Sequence, residues 1–179
     1  MKRHLVLITT LTAGLLFALG MLAPTSGAQT TPGTLNHCGA NVVGKLANGE
    51  YVLGPQECFA SQGEVNQYLA SSAAGAPVGA APLSPDTVLT TFYDPPSYNG
   101  TSFSVGYSCG SGYLNFTEFA YPGGGTWNDK VSAVVSSCSY VSLYYNVDLK
   151  GSVYYVYGEA ILTGTGMDNE ASSAGIAYG

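Results

Sequence analysis

A pattern that occurs twice, in the same order, constrains this chain more than any other feature. The first copy opens Tyr93-Asp94-Pro95-Pro96-Ser97-Tyr98-Asn99-Gly100 and later reaches Trp127-Asn128-Asp129-Lys130-Val131-Ser132-Ala133. The second opens Tyr144-Tyr145-Asn146-Val147-Asp148-Leu149-Lys150-Gly151 and later reaches Met167-Asp168-Asn169-Glu170-Ala171-Ser172-Ser173. Each copy is an aromatic, four residues, a large apolar residue, one residue and a glycine. Each then closes on an apolar residue, two Asn/Asp residues, two free positions and a serine. Two matches in one order point to a single supersecondary unit used twice. Its oxygen-rich loops then fall where two halves of one fold can share them.

The residues around these landmarks read as short strands. Phe103, Val105 and Tyr107 alternate with Ser102, Ser104 and Gly106, which puts apolar side chains on one face and small or polar ones on the other. Residues 152–157 form the matching strand of the second copy, and residues 113–121, 131–135 and 140–145 are also β-rich. Prolines and glycines punctuate these runs, which argues for a two-sheet sandwich. Gly100 and Gly151 fall where a folded-over hairpin needs positive φ, which glycine adopts at little cost. Tyr93 and Tyr144 are expected to pack across those hairpins.

The double pattern resembles the βγ-crystallin family over about residues 90–179. The resemblance implies an all-β domain of two Greek-key motifs, and in calcium-binding members an Asn/Asp-Asn/Asp-x-x-Ser/Thr-Ser loop in each. Two positions depart: Leu149 stands for the second aromatic of copy two, and Ala133 for the last serine of copy one. Carried over residue by residue, the motif implies Asn128, Asp129, Lys130 and Ser132 for one Ca2+ site, and Asp168, Asn169, Glu170 and Ser172 for the other. In the family each site draws ligands from both motifs. The chemistry is consistent, because Ca2+ takes six to eight oxygens from carboxylates, carbonyls, hydroxyls and water. Lys130 and Glu170 contribute through their backbone carbonyls. The competing account is that Asn, Asp and Ser cap turns by bonding their own backbone.

Ahead of this domain the chain changes character twice. Residues 1–28 read as a secretory signal: Lys2 and Arg3, an apolar run from Leu5 to Leu22, then Ser26-Gly27-Ala28 before Gln29. Residues 29–70 read as a small unit. In it, Asn48-Gly49 turns a hairpin between residues 41–46 and 51–53, and Ser61 with Glu64 has capping-box spacing for a helix over about 62–71. Residues 71–87, rich in Ala, Gly, Ser and Pro, read as a linker to the domain at 88–179. Cys38, Cys58, Cys109 and Cys138 all lie in the exported part, and an even count there argues for two disulfides. Of three possible pairings, Cys38–Cys58 and Cys109–Cys138 keep each bridge within one region of the chain.

Charge excludes several partners. Without the signal, three lysines (Lys45, Lys130 and Lys150) and no arginine stand against eleven acidic residues, a formal charge of −8. Such a chain neutralises few phosphates, so neither nucleic acid nor an anionic membrane surface is expected as a partner once the signal is removed. No enzyme is expected either. His37 has no evident nucleophile beside it, and Glu118, Asp148 and Glu159 are isolated in sequence. Gly123-Gly124-Gly125 lacks the Lys-Ser/Thr of a phosphate loop. Asn99-Gly100-Thr101 and Asn115-Phe116-Thr117 have the form of glycosylation sequons.

The expected protein is a secreted, non-enzymatic module that binds Ca2+ and is stabilised by it. The alternative is a secreted inhibitor of an extracellular metalloprotease, since that class resembles this chain in size, export and cysteine count. Residues 108–113 or 122–126 would then be the loop offered to the protease. A third possibility is binding of a cell-envelope glycan through the exposed members of a set of fourteen tyrosines.

Overall fold

The computed structural model describes residues 34–72, 88–106 and 109–177. The signal expected at 1–28, most of the linker expected at 71–87, and Tyr107 and Ser108 lie outside the described residues. Among the described residues the fold is all-β with one α-helix. In order come β1 (His37–Lys45), β2 (Tyr51–Leu53), β3 (Glu57–Phe59) and α1 (Gln62–Ser72). The first copy of the repeat supplies β4 (Val88–Asp94), β5 (Thr101–Gly106), β6 (Gly112–Asn115) and β7 (Ala133–Ser136). The second supplies β8 (Tyr140–Asn146), β9 (Lys150–Val156), β10 (Glu159–Ile161) and β11 (Ser173–Ala177).

Each copy is a four-strand Greek key that lends its third strand to the other. One sheet runs β10-β7-β4-β5 and continues through β1 to β2, with β3 also paired to β1; the other runs β6-β11-β8-β9. Thus β10 of the second copy pairs with β7 of the first, while β6 of the first pairs with β11 of the second. Neither half completes a sheet alone. This is the βγ-crystallin-like sandwich expected from the repeat, preceded by a hairpin and helix.

The inner faces meet over one core. Phe92, Phe103, Phe116, Leu114, Leu143, Ile176 and Trp127 are fully buried. Phe92 meets Phe116 edge-on at 4.9 Å, and Phe103 stacks on Phe119 at 4.8 Å. Burying each such side chain contributes roughly 1.5–3 kcal/mol, which outweighs weak strand propensity in the glycine- and serine-rich segments.

The N-terminal segment is tied to the first copy through β1. His37 to Asn41 pair in parallel with Ser102 to Gly106 of β5, and Pro32–Gly179 forms one compact unit. Both predicted disulfides form, Cys38–Cys58 between β1 and β3 and Cys109–Cys138. The capping box forms as well: Glu64 N donates to Ser61 Oγ at 3.4 Å, and Ser61 N donates to Glu64 Oε2 at 3.0 Å. From that start α1 lays Val65 and Leu69 over the outer face of β1 and β5, so the small, polar face of β5 is buried too. Close docking requires Gly39, where a Cβ would sit 2.6 Å from Val65 Cγ1.

The two hairpins differ from expectation in one glycine. Gly151 has φ +82°, as predicted, and follows Asp148 and Leu149, which also have positive φ. Gly100 does not have positive φ. It is needed for space instead, since a Cβ there would lie 2.5 Å from the Asp94 carbonyl oxygen. Tyr93 packs across this hairpin on Tyr98, ring centroids 5.8 Å apart.

Candidate functional site

The two Asn/Asp-Ser loops meet at one end of the sandwich, and they meet crosswise. Asp129 N donates to Ala171 O at 3.1 Å, and Asn169 N donates to Val131 O at 3.0 Å. Ser132 N and Ser172 N donate to the carbonyls of Tyr93 and Tyr144, the first aromatics of their own copies. The side chains repeat the exchange. Ser132 Oγ donates to Asn169 Oδ1 at 3.1 Å, and Ser172 Oγ to Asp129 Oδ1 at 3.5 Å. Each set therefore takes its serine and the residue two before it from one loop, and its Asn/Asp from the other. Asp129 and Asn169 both have φ +56°. Asn and Asp tolerate this left-handed conformation better than other residues with a Cβ, so the backbone alone already favours them there.

The sets are unequal in charge. In one, Asp129 faces Ser172 and lies near Glu170. Burial first, then the Glu170 charge, raises the Asp129 carboxyl above the usual aspartate value, against the Ser172 hydrogen bond and Lys130. Glu170 also hydrogen-bonds Tyr145 and pushes its phenol up. The other set holds neutral Asn169 with Ser132 and Lys130, whose ammonium sits 5.8 Å over the Tyr121 ring. Asn128 Nδ2 donates to Asp129 Oδ2 at 2.6 Å, while Asn128 Oδ1 is buried without a partner. Asn169 Nδ2 donates to Asp168 Oδ1 at 3.3 Å. All eight predicted residues thus lie in the two loops. Among the described residues, no group of three or more His, Cys, Asp or Glu is placed to hold a metal. The Asp129 set would rely on hydroxyl and backbone oxygens beside its carboxylate, and the Asn169 set on hydroxyl, amide and backbone oxygens alone.

Other sequence readings change. His37 does have a serine beside it, with Nδ1 2.9 Å from Ser102 Oγ. Ser102 is fully buried and donates to Gln62 Oε1 at 2.9 Å, so the pair helps fix α1 to the sheet. Glu118 and Asp148, isolated in sequence, are close in space. Both gather with Glu50 near Asn115, whose Nδ2 donates to Glu50 Oε1 at 2.7 Å and to Asp148 Oδ1 at 3.1 Å. Asp148 N donates back to Asn115 Oδ1 at 2.8 Å. Burial and then Glu50 raise the Glu118 carboxyl. Asn115, read as a sequon, is a buried hub joining three segments.

The two candidate inhibitory loops differ. Of residues 108–113, Gly110 O accepts from Tyr51 and Ser111 O from Lys45, so 110–111 are tied down. Residues 122–125 are exposed, and Gly124 and Gly125 have positive φ in a tight turn closed by Tyr121 N to Gly125 O.

No family model and no curated protein matches the sequence. Solved structures with which the chain aligns include a double mutant of a βγ-crystallin domain from Clostridium beijerinckii, at 22% identity, covering 51% of this chain and 98% of that one, with TM-score 0.42. A βγ-crystallin domain from Flavobacterium johnsoniae aligns at 23% identity over 50% of this chain and 94% of its own, with TM-score 0.39. A βγ-crystallin from an archaeon aligns at 20% identity over 51% and 99%, with TM-score 0.37.

Proposed function

We propose that this protein is a secreted, non-enzymatic module whose paired loops bind Ca2+ and whose fold the ion stabilises. The observation that carries the reading is the crosswise pairing of Ser172 with Asp129 and of Ser132 with Asn169. The donor set fits a hard cation. Its members are all oxygens, the Asp129 carboxyl is raised by burial and by Glu170, and the adjacent Asn128 Oδ1 is buried without a donor. Asp129, Ser172 and the Glu170 carbonyl would hold the ion in the more acidic set; Asn169, Ser132 and the Lys130 carbonyl would hold it in the other. The ion supplies positive charge that relieves the Asp129–Glu170 repulsion. The charge difference ranks the Asp129 set tighter. With so few carboxylates the affinity is modest, in the range of about 10⁻⁴–10⁻³ M common among extracellular modules.

Export is supported by the leader-like residues 1–28 and by two disulfides, which persist in oxidising compartments. No helix among the described residues is long and apolar enough to cross a membrane. Thermal unfolding of the disulfide-bonded protein lacking residues 1–28 tests the reading. Midpoints are compared in EDTA, in Ca2+ and in Mg2+. A Ca2+-specific rise that disappears in Asp129→Ala, Asn169→Ala supports it, and an unchanged midpoint rejects it.

A further inference from the structure

The outer face of the four-stranded sheet is not used by the paired loops, and its register builds a trough. Tyr113 of β6 pairs with Gly175 of β11, Gly175 with Ser142 of β8, and Ser142 with Tyr155 of β9. Side chains in such a row share one face. The neighbouring inward row holds Leu114, Ala174 and Leu143, all fully buried. The outward row therefore carries a ring at each end and almost nothing between. With strands about 4.8 Å apart, its two tyrosine backbones stand about 14 Å apart. Gly175 keeps the floor open, since a Cβ there would sit 2.6 Å from Ser142 Oγ.

Within the trough lies a groove of about 320 Å³, bounded by Asn48, Tyr113, Tyr140, Ser142 and Tyr144. That is large enough for a small ligand. The aromatic surface continues past it, because Tyr155 and Tyr157 lie 5.9 and 6.0 Å from the Tyr140 ring. They are 49% and 73% exposed. Polar groups in the groove are held in place. Asn48 Nδ2 donates to the Tyr113 hydroxyl at 3.0 Å, which leaves the phenolic proton to donate elsewhere. Ser142, which is buried, donates to Gly175 O at 3.4 Å.

Charge and shape select the ligand. No side chain lining the groove is charged. Glu50, Asp148 and Glu118 lie near Tyr113, where their charges add to burial in raising its phenol; Lys45 bonds Ser111 O and Lys150 pairs with Asp148, which leaves a net negative rim that disfavours an anion. An extended peptide adds to an open sheet edge, whereas the groove crosses β6, β11 and β8 on the sheet face. A lipid chain has no use for the hydroxyls and amide. A neutral pyranose has apolar faces to stack on rings and a rim of hydroxyls to bond with Asn48, Tyr113 and Ser142. We propose that this tyrosine-walled trough binds a neutral polysaccharide, with sugar faces on Tyr140, Tyr155 and Tyr157 and hydroxyls bonded at Asn48 and Tyr113. This is a separate site from the paired loops.

The test is depletion of the disulfide-bonded protein lacking residues 1–28 by insoluble cellulose, chitin and a neutral β-glucan, in Ca2+ and in EDTA. Titration with soluble oligosaccharides of the retained polymer follows. Binding to at least one neutral polymer is expected in both buffers. Tyr140→Ala and Tyr155→Ala should each weaken it by about tenfold, as loss of one stacking contact would. Tyr98→Ala, on the other sheet's hairpin, should not. Near-UV circular dichroism reports folding of each variant, and Asn48→Ala, at an exposed turn, gives a second handle should Tyr140→Ala unfold. Failure to bind any neutral polymer overturns the proposal. So does binding that survives both Tyr155→Ala and Asn48→Ala, or binding only to an anionic polysaccharide. Loss of the Ca2+-dependent midpoint shift with polysaccharide binding intact would reject the calcium reading alone.

Discussion

Replacing Asp129 with asparagine separates charge from shape at the paired loops. Asparagine keeps an Oδ1 for Ser172 and tolerates φ +56°, so the turn survives. The carboxylate is lost, and the Asn128 amide, which donates to Asp129 Oδ2, must turn so that its Oδ1 accepts from the new Nδ2. In EDTA the variant should unfold at the same temperature as the parent or slightly above it, because burial and Glu170 disfavour the charge that is removed. In calcium the order reverses. With Kd about 10⁻⁴–10⁻³ M, 10 mM Ca2+ stabilises the parent by roughly 1.4–2.7 kcal/mol through RT ln(1 + [L]/Kd). For a chain of this size that raises the midpoint by about 4–10 °C. If removing one carboxylate weakens binding about tenfold, the gain falls to roughly 0.4–1.4 kcal/mol. Scanning calorimetry of parent and Asp129→Asn, each in EDTA and in calcium, reads all four midpoints. An equal calcium gain in both proteins would refute Asp129 as a ligand. A midpoint several degrees lower in EDTA would refute the repulsion argument.

The same carboxyl gives a pH dependence. A raised folded pKa means that the group's contribution to stability is present below its unfolded value and is lost as pH rises through the folded one. Proton and Ca2+ then compete, so the calcium gain should fade on acidification through the raised Asp129 pKa, above the pH at which an ordinary aspartate protonates; titrating the midpoint shift checks this. Glu118 is raised as well, by burial and then Glu50, so Glu118→Gln should stabilise the protein at neutral pH and flatten its pH profile in that window; urea unfolding at several pH values measures it. Gly39→Ala places a methyl 2.6 Å from Val65 Cγ1 and should cost about 1–3 kcal/mol by overpacking, measured as a lower urea midpoint. Replacing Cys38 and Cys58 together by serine removes a bridge spanning 20 residues, and in the chain-entropy model should cost about 3 kcal/mol in the same assay.

Local chemistry was the part of this protein legible in its sequence. Asn48-Gly49 turns the hairpin, with Gly49 at φ +94°, and Ser61 with Glu64 starts α1 where the spacing predicted. The cysteines pair within their own regions. The repeat marked both Greek keys, because each folded-over hairpin is a turn among residues close in sequence. Even the Asn/Asp preference at 129 and 169 follows from one residue's φ. None of this required knowing how the halves meet.

Tertiary structure decided the partners. Ser132 with Asn169, Asn115 with Glu50 and Asp148, and His37 with Ser102 are separated by 33 or more residues. Such pairs exist only because strands β6 and β10 cross into each other's sheets and β1 adds to β5. Periodicity reveals which face a side chain shares with its neighbours in sequence, and carries no information on the strand beside it. The tyrosine trough shows the difference most plainly. Tyr113, Gly175, Ser142 and Tyr155 are unremarkable in the sequence, and become a row only when the register of four strands is set by the core beneath them.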